Sequence, residues 1–211
     1  MTASVIAAFV TFLVVIDPPG MAPIFAALTH HYAPAERRRI ALRGVVIAGL
    51  VLLGFGLVGE PALRALGISL PAFRVAGGVL LLLLAIDMVM ARQSGLRTTT
   101  APEDAETGIR EDVSVFPLAI PLIAGPGAMT SMVLTVAEAK GDLLLQAIII
   151  GLMGIVLVSA YLSFLVAHQI MRLIGVTGVN VISRVAGIFL AAMSIQFVAD
   201  GARELWPVLG G

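Results

Sequence analysis

The sequence predicts an all-α membrane protein: six transmembrane helices as two inverted three-helix repeats, with the first and fourth helices discontinuous. Three observations carry this expectation. The chain is 59% hydrophobic and 12% charged, about half the charged share of an ordinary soluble domain. Six apolar stretches are each long enough to cross a bilayer, which takes about 20 residues. Two of them, the first and the fourth, contain a Pro-Gly pair, Pro19-Gly20 and Pro126-Gly127. Proline removes a backbone donor and clashes with the preceding turn, and glycine permits angles a helix does not use.

The first span covers residues 4–29, with a break at Asp17-Pro18-Pro19-Gly20. It lacks the positive leader of a cleaved signal peptide, and its apolar character resumes after Gly20, so it reads as a retained helix. The second span covers 40–58 and the third 70–91. Residues 92–112 are polar, with Thr98-Thr99-Thr100 and five acids, and read as a linker. The fourth span covers 113–137, with a break at Ala124-Gly125-Pro126-Gly127. The fifth, 143–167, has no formal charge, and the sixth covers 181–202. The chain thus divides into a first repeat at 1–91, a cytoplasmic linker at 92–112 and a second repeat at 113–211.

Arginines and lysines in short loops mark the cytoplasmic side. Arg37, Arg38, Arg39, Arg43, Arg92, Arg97, Arg110 and Arg172 fall on one side, and Arg64, Lys140 and Arg203 on the other. That imbalance puts both termini outside the cytoplasm, in a multi-pass protein of the inner (plasma) membrane. The halves also resemble each other. Arg74-Val75-Ala76-Gly77 opens the third span and Arg184-Val185-Ala186-Gly187 the sixth, at nearly the offset of the two Pro-Gly pairs. An odd number of spans per half forces the second half to enter from the opposite face. Inverted repeats with broken helices meeting near the midplane are a secondary-transporter architecture.

Chemistry concentrates at the breaks. The first amides of a half-helix lack intrahelical partners, and the helix dipole adds positive potential, which together suit an anion. Gly20, Met21 and Ala22 are the candidates at the first break, and Gly125, Gly127, Ala128 and Met129 at the second. Thr130 and Ser131 add hydroxyls. The opposing half-helices end in free carbonyls that suit an ammonium group or cation, so a small zwitterion matches both ends. The bland alternative is a pair of kinks that shape helix packing. Asp17 is the one charge between Met1 and Glu36, and an acid at the bilayer centre costs about 2.5–3.5 kcal/mol. It either binds an ammonium or a coupling proton, or it N-caps the next half-helix; the two are compatible. Gln196 on the sixth span reaches either substrate or a neighbouring helix. Arg74 and Asp87 bracket twelve uncharged residues, and Arg184 and Asp200 fifteen, so these charges sit near the membrane edges. They either snorkel to headgroups or gate the pathway, with Asp17, Arg74, Asp87 and Asp200 as the gating or coupling set. The glycines at 77, 78, 151, 154 and 187 permit close helix approach.

Several classes are excluded or unsupported. There is no Gly-x-Ser-x-Gly elbow, His-Glu-x-x-His or Walker loop, so no enzyme is expected. Zero net charge offers nothing to a nucleic acid, and the absence of cysteine removes thiolate metal sites. No cofactor or metal is implied.

Val15-Ile16-Asp17-Pro18-Pro19-Gly20-Met21-Ala22-Pro23-Ile24-Phe25 resembles the first-helix signature of the MarC family of bacterial inner-membrane proteins. The run from Pro117 to Ala128 resembles its fourth-helix signature. Phe73-Arg74-Val75-Ala76-Gly77-Gly78 and Gln196-Phe197-Val198-Ala199-Asp200-Gly201 are similar to its third- and sixth-helix patterns. Many members carry Asn-Pro where this chain has Asp17-Pro18. The resemblance implies six spans in two inverted repeats and membrane transport, with small neutral amino acids such as glycine and alanine as a substrate class. The expectation is therefore an alternating-access secondary transporter in the lipid bilayer, coupled to protons or sodium. A channel or unselective exporter and a non-transporting scaffold are the alternatives.

Overall fold

The computed structural model describes residues 2–90, 112–139 and 141–209, and the described secondary structure is helical throughout. In chain order the elements are α1 (Thr2–Ile16), α2 (Pro18–Leu28), α3 (Pro34–Ala65), α4 (Leu70–Met90), the irregular α5 (Ser114–Ile123), α6 (Pro126–Glu138), α7 (Leu143–Leu165), α8 (Ala167–Leu173) and α9 (Gly175–Leu209). Among the described residues five spans are long and apolar enough to cross a membrane, α1 and α2 counting together as one. The pair α5–α6, bent by 58°, makes a sixth when taken as one span. All but Asp112 of the expected 92–112 linker lies outside the described residues.

The α1–α2 and α5–α6 spans form the centre. Phe12, Ile16, Met21, Phe25, Leu118, Ile123 and Met132 are buried there. The exposed faces of α3, α4, α7 and α9 carry Leu, Ile, Val and Phe, as lipid requires. Span α1–α2 packs on α7 and α9, while span α5–α6 packs on α3 and α4. Helices α3 and α7 touch each other, as do α4 and α9.

The longer helices overrun their expected bounds. The apolar stretch at 40–58 sits inside the 32-residue α3, and 181–202 inside the 35-residue α9. Apolar length measures the hydrocarbon crossing, but nothing stops a helix at the headgroups. Pro34 opens α3 at a first-turn position that needs no donor. The chain turns out of it near Gly67, at φ +71°. Asp142 caps α7, accepting from the amides of Leu144 and Leu145 at 3.0 and 3.1 Å.

Glycines set the closest helix contacts. Helices α4 and α9 run antiparallel with their backbones nearly touching. A Cβ on Gly78 would lie 2.8 Å from the Ser194 carbonyl oxygen, and one on Gly201 2.8 Å from that of Pro71. Gly187 similarly faces Met88, Val89 and the Ala85 carbonyl. The close approach expected of Gly78 and Gly187 is present, whereas Gly151 and Gly154 of α7 face open space.

Ion pairs tie the ends of the bundle. At one end Arg43 meets Asp112 at 2.8 Å, and Arg37 bonds His168 at 2.6 Å. The Ser114 hydroxyl donates to Asp112 at 2.6 Å. That bond, then the Ser114 amide and the Arg43 and Arg39 charges, hold the Asp112 carboxyl below the usual carboxylate range despite partial desolvation.

The glycine contacts generate a prediction. Gly78→Ala drives a methyl into backbone and lowers stability by about 1–3 kcal/mol. Gly154→Ala meets nothing and is neutral or stabilising by up to about 1 kcal/mol. Thermal unfolding of both variants in detergent checks this, and equal midpoints would refute it.

Candidate functional site

Asp17 sits between α1 and α2 in the left-handed region, at φ 50° and ψ 62°. Aspartate tolerates that conformation better than most residues. Its amide still donates to Leu13, and its carbonyl accepts from Met21. Pro18 and Pro19 then occupy the first turn of α2, where their missing donors cost that helix nothing. The α1 carbonyls four residues back, Val14 and Val15, receive no helical bond from them. Asp17 is 2% exposed, and its carboxylate is held inside the protein. It accepts from the Gly20 amide at 3.2 Å and from the Ser183 hydroxyl of α9 at 3.3 Å. The N-cap geometry weighed from sequence is therefore present. Gly20 is glycine because a Cβ there would overlap both the Asp17 carboxylate and the Ser183 hydroxyl.

The second break begins earlier than the Ala124–Gly127 expected from sequence. Phe116 and Ile120 are extended, at φ −129° and −132°, as a following proline dictates. Pro117 and Pro121 thus make all of α5 irregular before Gly125 leads into α6. Pro126 has no amide, and the Met129 amide already donates to the Gly125 carbonyl. The Gly127 and Ala128 amides fall in the first turn, where a helix supplies no acceptor.

Those amides border a small cavity. It is lined by Val15 of α1, Leu80 and Leu84 of α4, Pro121 to Ile123, and Gly125 to Ala128, and holds about 20 Å³, room for one water. Val15, two residues before Asp17, lies against Gly127: a Cβ there would be 3.4 Å from Val15 Cγ1 and 2.8 Å from Leu81 Cδ2. One turn into α6, Ser131 is fully buried and its hydroxyl finds no hydrogen-bond partner among the described residues. It shares the Gly127 face of α6, and its Cβ tilts back toward the N-terminal end. Thr130, also buried, packs against Gly77 of α4.

The structure therefore gathers Gly125, Gly127 and Ala128 round one cavity, with Thr130 and Ser131 a turn behind. Met21 and Ala22 are buried in the core, and Met129 is half-buried. Asp17, Gly20, Met21 and Ala22 do not line that cavity; the carboxylate faces Ser183 instead. Gln196, read from sequence as reaching either substrate or a neighbouring helix, lies on the exposed face of α9 and donates within its own helix to Asp200 at 2.8 Å. The reason is that α9 turns its Gly187–Ser194–Gly201 edge toward α4, which leaves Gln196 outside. Asp87 is half-buried on α4, and Arg184 is exposed on α9. Arg74 lines a second, larger cavity of about 620 Å³ at the end of the bundle, with Glu60, Arg64, Gln146, Glu138 and Glu204. It pairs with Glu138 at 2.7 Å and with Glu204 at 2.5 Å. Ser183 and this pair of acids escaped the sequence reading, because each is an ordinary polar residue until the fold sets it beside its partner.

Comparison with known proteins comes to the same region of sequence space. A family model described as MarC family integral membrane protein matches residues 2–206. A UPF0056 membrane protein of Methanocaldococcus jannaschii is 38% identical, with 94% of this chain and 95% of that one covered. One from Archaeoglobus fulgidus is 36% identical over 94% and 92%. The UPF0056 membrane protein YvbG of Bacillus subtilis is 31% identical over 99% of both chains. No solved structure matches.

The cap geometry is testable. Asp17→Asn keeps the amide acceptor and the left-handed preference, and its stability stays near that of the parent. Asp17→Ala loses both and costs about 1–2 kcal/mol. Thermal unfolding separates the two, and an asparagine variant as unstable as the alanine variant contradicts the capping role.

Proposed function

This chain belongs to the MarC family of integral membrane proteins, and from that premise we propose that it is a secondary transporter of small neutral amino acids. The observation that carries the proposal is the cavity at the start of α6, with its first-turn amides and the unpartnered Ser131 hydroxyl beside it. Amides at a helix N-terminus and a buried hydroxyl suit a carboxylate. The Val14 and Val15 carbonyls, deprived of helical donors by Pro18 and Pro19, suit an ammonium group or a coupling proton or sodium ion. A buried polar atom without a partner is costly, and a substrate oxygen would remove that cost.

The inverted-repeat reading belongs to the same proposal. Exchanging the halves turns several packing relations into one another: α3 on α5–α6 becomes α7 on α1–α2, and α4 on α6 becomes α9 on α2. The contacts of α4 with α9 and of α3 with α7 map onto themselves. Interrupted first and fourth spans of opposite direction then present their half-helix ends to a common centre, as alternating access requires. The loop arginines support orienting both termini, and the Arg74 end of the bundle, away from the cytoplasm of a bacterial inner membrane.

Purified protein in liposomes takes up glycine and alanine above a protein-free blank when a proton or sodium gradient is applied, and unlabelled substrate drives counter-flow. Gly127→Leu, which fills the cavity, abolishes uptake. No uptake of either amino acid under either gradient removes the proposal. Flux that neither saturates nor shows counter-flow favours the channel instead.

A further inference from the structure

We propose that the seam between α4 and α6 is the outer gate of the pathway, with Gly77 against Thr130 as the constriction and the Arg74–Glu138 pair as the latch. The proposal rests on the transport reading for its purpose, but its geometry stands alone. Both cavities lie along this one seam. The small one is bordered by Leu80 and Leu84 of α4 and by Gly127 and Ala128 of α6. The large one is bordered by Leu70 and Arg74 of α4 and by Leu134, Ala137 and Glu138 of α6. The two helices run antiparallel, so the same turn separates the cavities on each. That turn holds Gly77 on α4 and Thr130 on α6. The Thr130 methyl fills the space a Cβ on Gly77 would need. Nothing of solute size passes there while the seam is shut.

Arg74 holds that seam from the larger cavity. Its side chain is 15% exposed, and its two amino groups bond different helices, Glu138 of α6 and Glu204 of α9. These bonds are unequal in what they restrain. Helices α4 and α9 are already locked by the contacts at Gly78, Gly187 and Gly201, so Arg74–Glu204 lies within a unit that moves as one. Arg74–Glu138 crosses the seam that has to open. A zwitterion in the 620 Å³ cavity can replace that pair without loss of ion pairing. Its carboxylate takes the Arg74 bond and its ammonium takes the Glu138 bond. An anion on Arg74 leaves Glu138 without its partner, and a cation on Glu138 leaves Arg74 with Glu204 alone. The gate thereby admits the class of solute that the inner amides and carbonyls receive.

The chain has no cysteine, so introduced thiols report accessibility cleanly. A Gln146→Cys variant, in the large cavity, first establishes which membrane face an impermeant methanethiosulfonate must approach from. An Ala128→Cys variant, in the small cavity, is then labelled from that face. Adding Glu138→Gln speeds labelling about five-fold, and adding Glu204→Gln changes it by less than about two-fold. Adding Thr130→Ala, which shaves the constriction, speeds it independently of any charge. Unchanged rates with both Glu138→Gln and Thr130→Ala overturn the gate. If one of these variants elutes aggregated, the other decides. Because no amino acid is present in the assay, failed uptake in liposomes sinks the transport reading and leaves this result standing.

Discussion

A backbone carbonyl or amide released inside the hydrocarbon layer must find a partner within the protein, and the rest of this structure follows from that constraint. Pro18 and Pro19 release carbonyls in the first span. Pro117, Pro121 and Pro126 withhold three amides from the fourth. Both stretches are therefore turned largely inward: Val15 to Pro18, Gly20 to Ala22, Leu118, Ala119 and Leu122 to Ala124 are buried, and of the prolines concerned only Pro126 is exposed. The remaining helices are regular and satisfy their own backbones, so they take the lipid-facing positions. Asp17 is part of the same solution. It supplies the Gly20 amide with an acceptor from a conformation that most side chains resist, and Ser183 stabilises the carboxylate doing so.

What could be seen in the sequence was what short-range chemistry determines. Apolar length marked the five spans and the bent α5–α6 pair, because lipid admits no substitute for it. The 58° bend between α5 and α6 was visible because proline and glycine act within four residues of themselves. The cap at Asp17 and the close approach at Gly78 and Gly187 were likewise local signals. Helix ends beyond the headgroups carried no such signal, which is why α3 and α9 overran their apolar cores. The early start of the second interruption was legible and missed: Pro117 and Pro121 each force an extended residue before them, but the Gly-Pro-Gly run drew the reading downstream.

Everything that depends on which helix lies beside which was out of reach. Asp17 finds Ser183 from the other half of the chain. Arg74 looked like a membrane-edge charge, and its carboxylates are contributed by α6 and α9. Gln196 had the composition of a site residue and the wrong azimuth on its helix. Rotation about a helix axis is set by the helix it packs against, and for α9 that is decided by Gly187 and Gly201 meeting α4. Glycine spacing therefore carried more information about the site than the polar residue did, since it fixed which face of α9 the interior never sees.

The packing also sorts the bundle into parts that can move and parts that cannot. Where backbones touch, as between α4 and α9, separation costs all the dispersion contacts at once, and no side-chain rotation compensates. The α4–α6 seam is different in kind. It is closed by the Thr130 methyl, by Leu81 against Gly127 and by one ion pair, all side-chain contacts that can be exchanged for others. On the transport reading, a cavity that holds one water must enlarge to accept an amino acid, and its α4–α6 wall is closed by contacts that can be exchanged. The α4 wall at Leu80 and Leu84 moves with α9 or not at all, so opening is a displacement of that glycine-bonded pair from α6. In the proposed gate the Arg74–Glu138 bond, and not the tighter neighbour within the pair, is then the contact whose rupture accompanies entry.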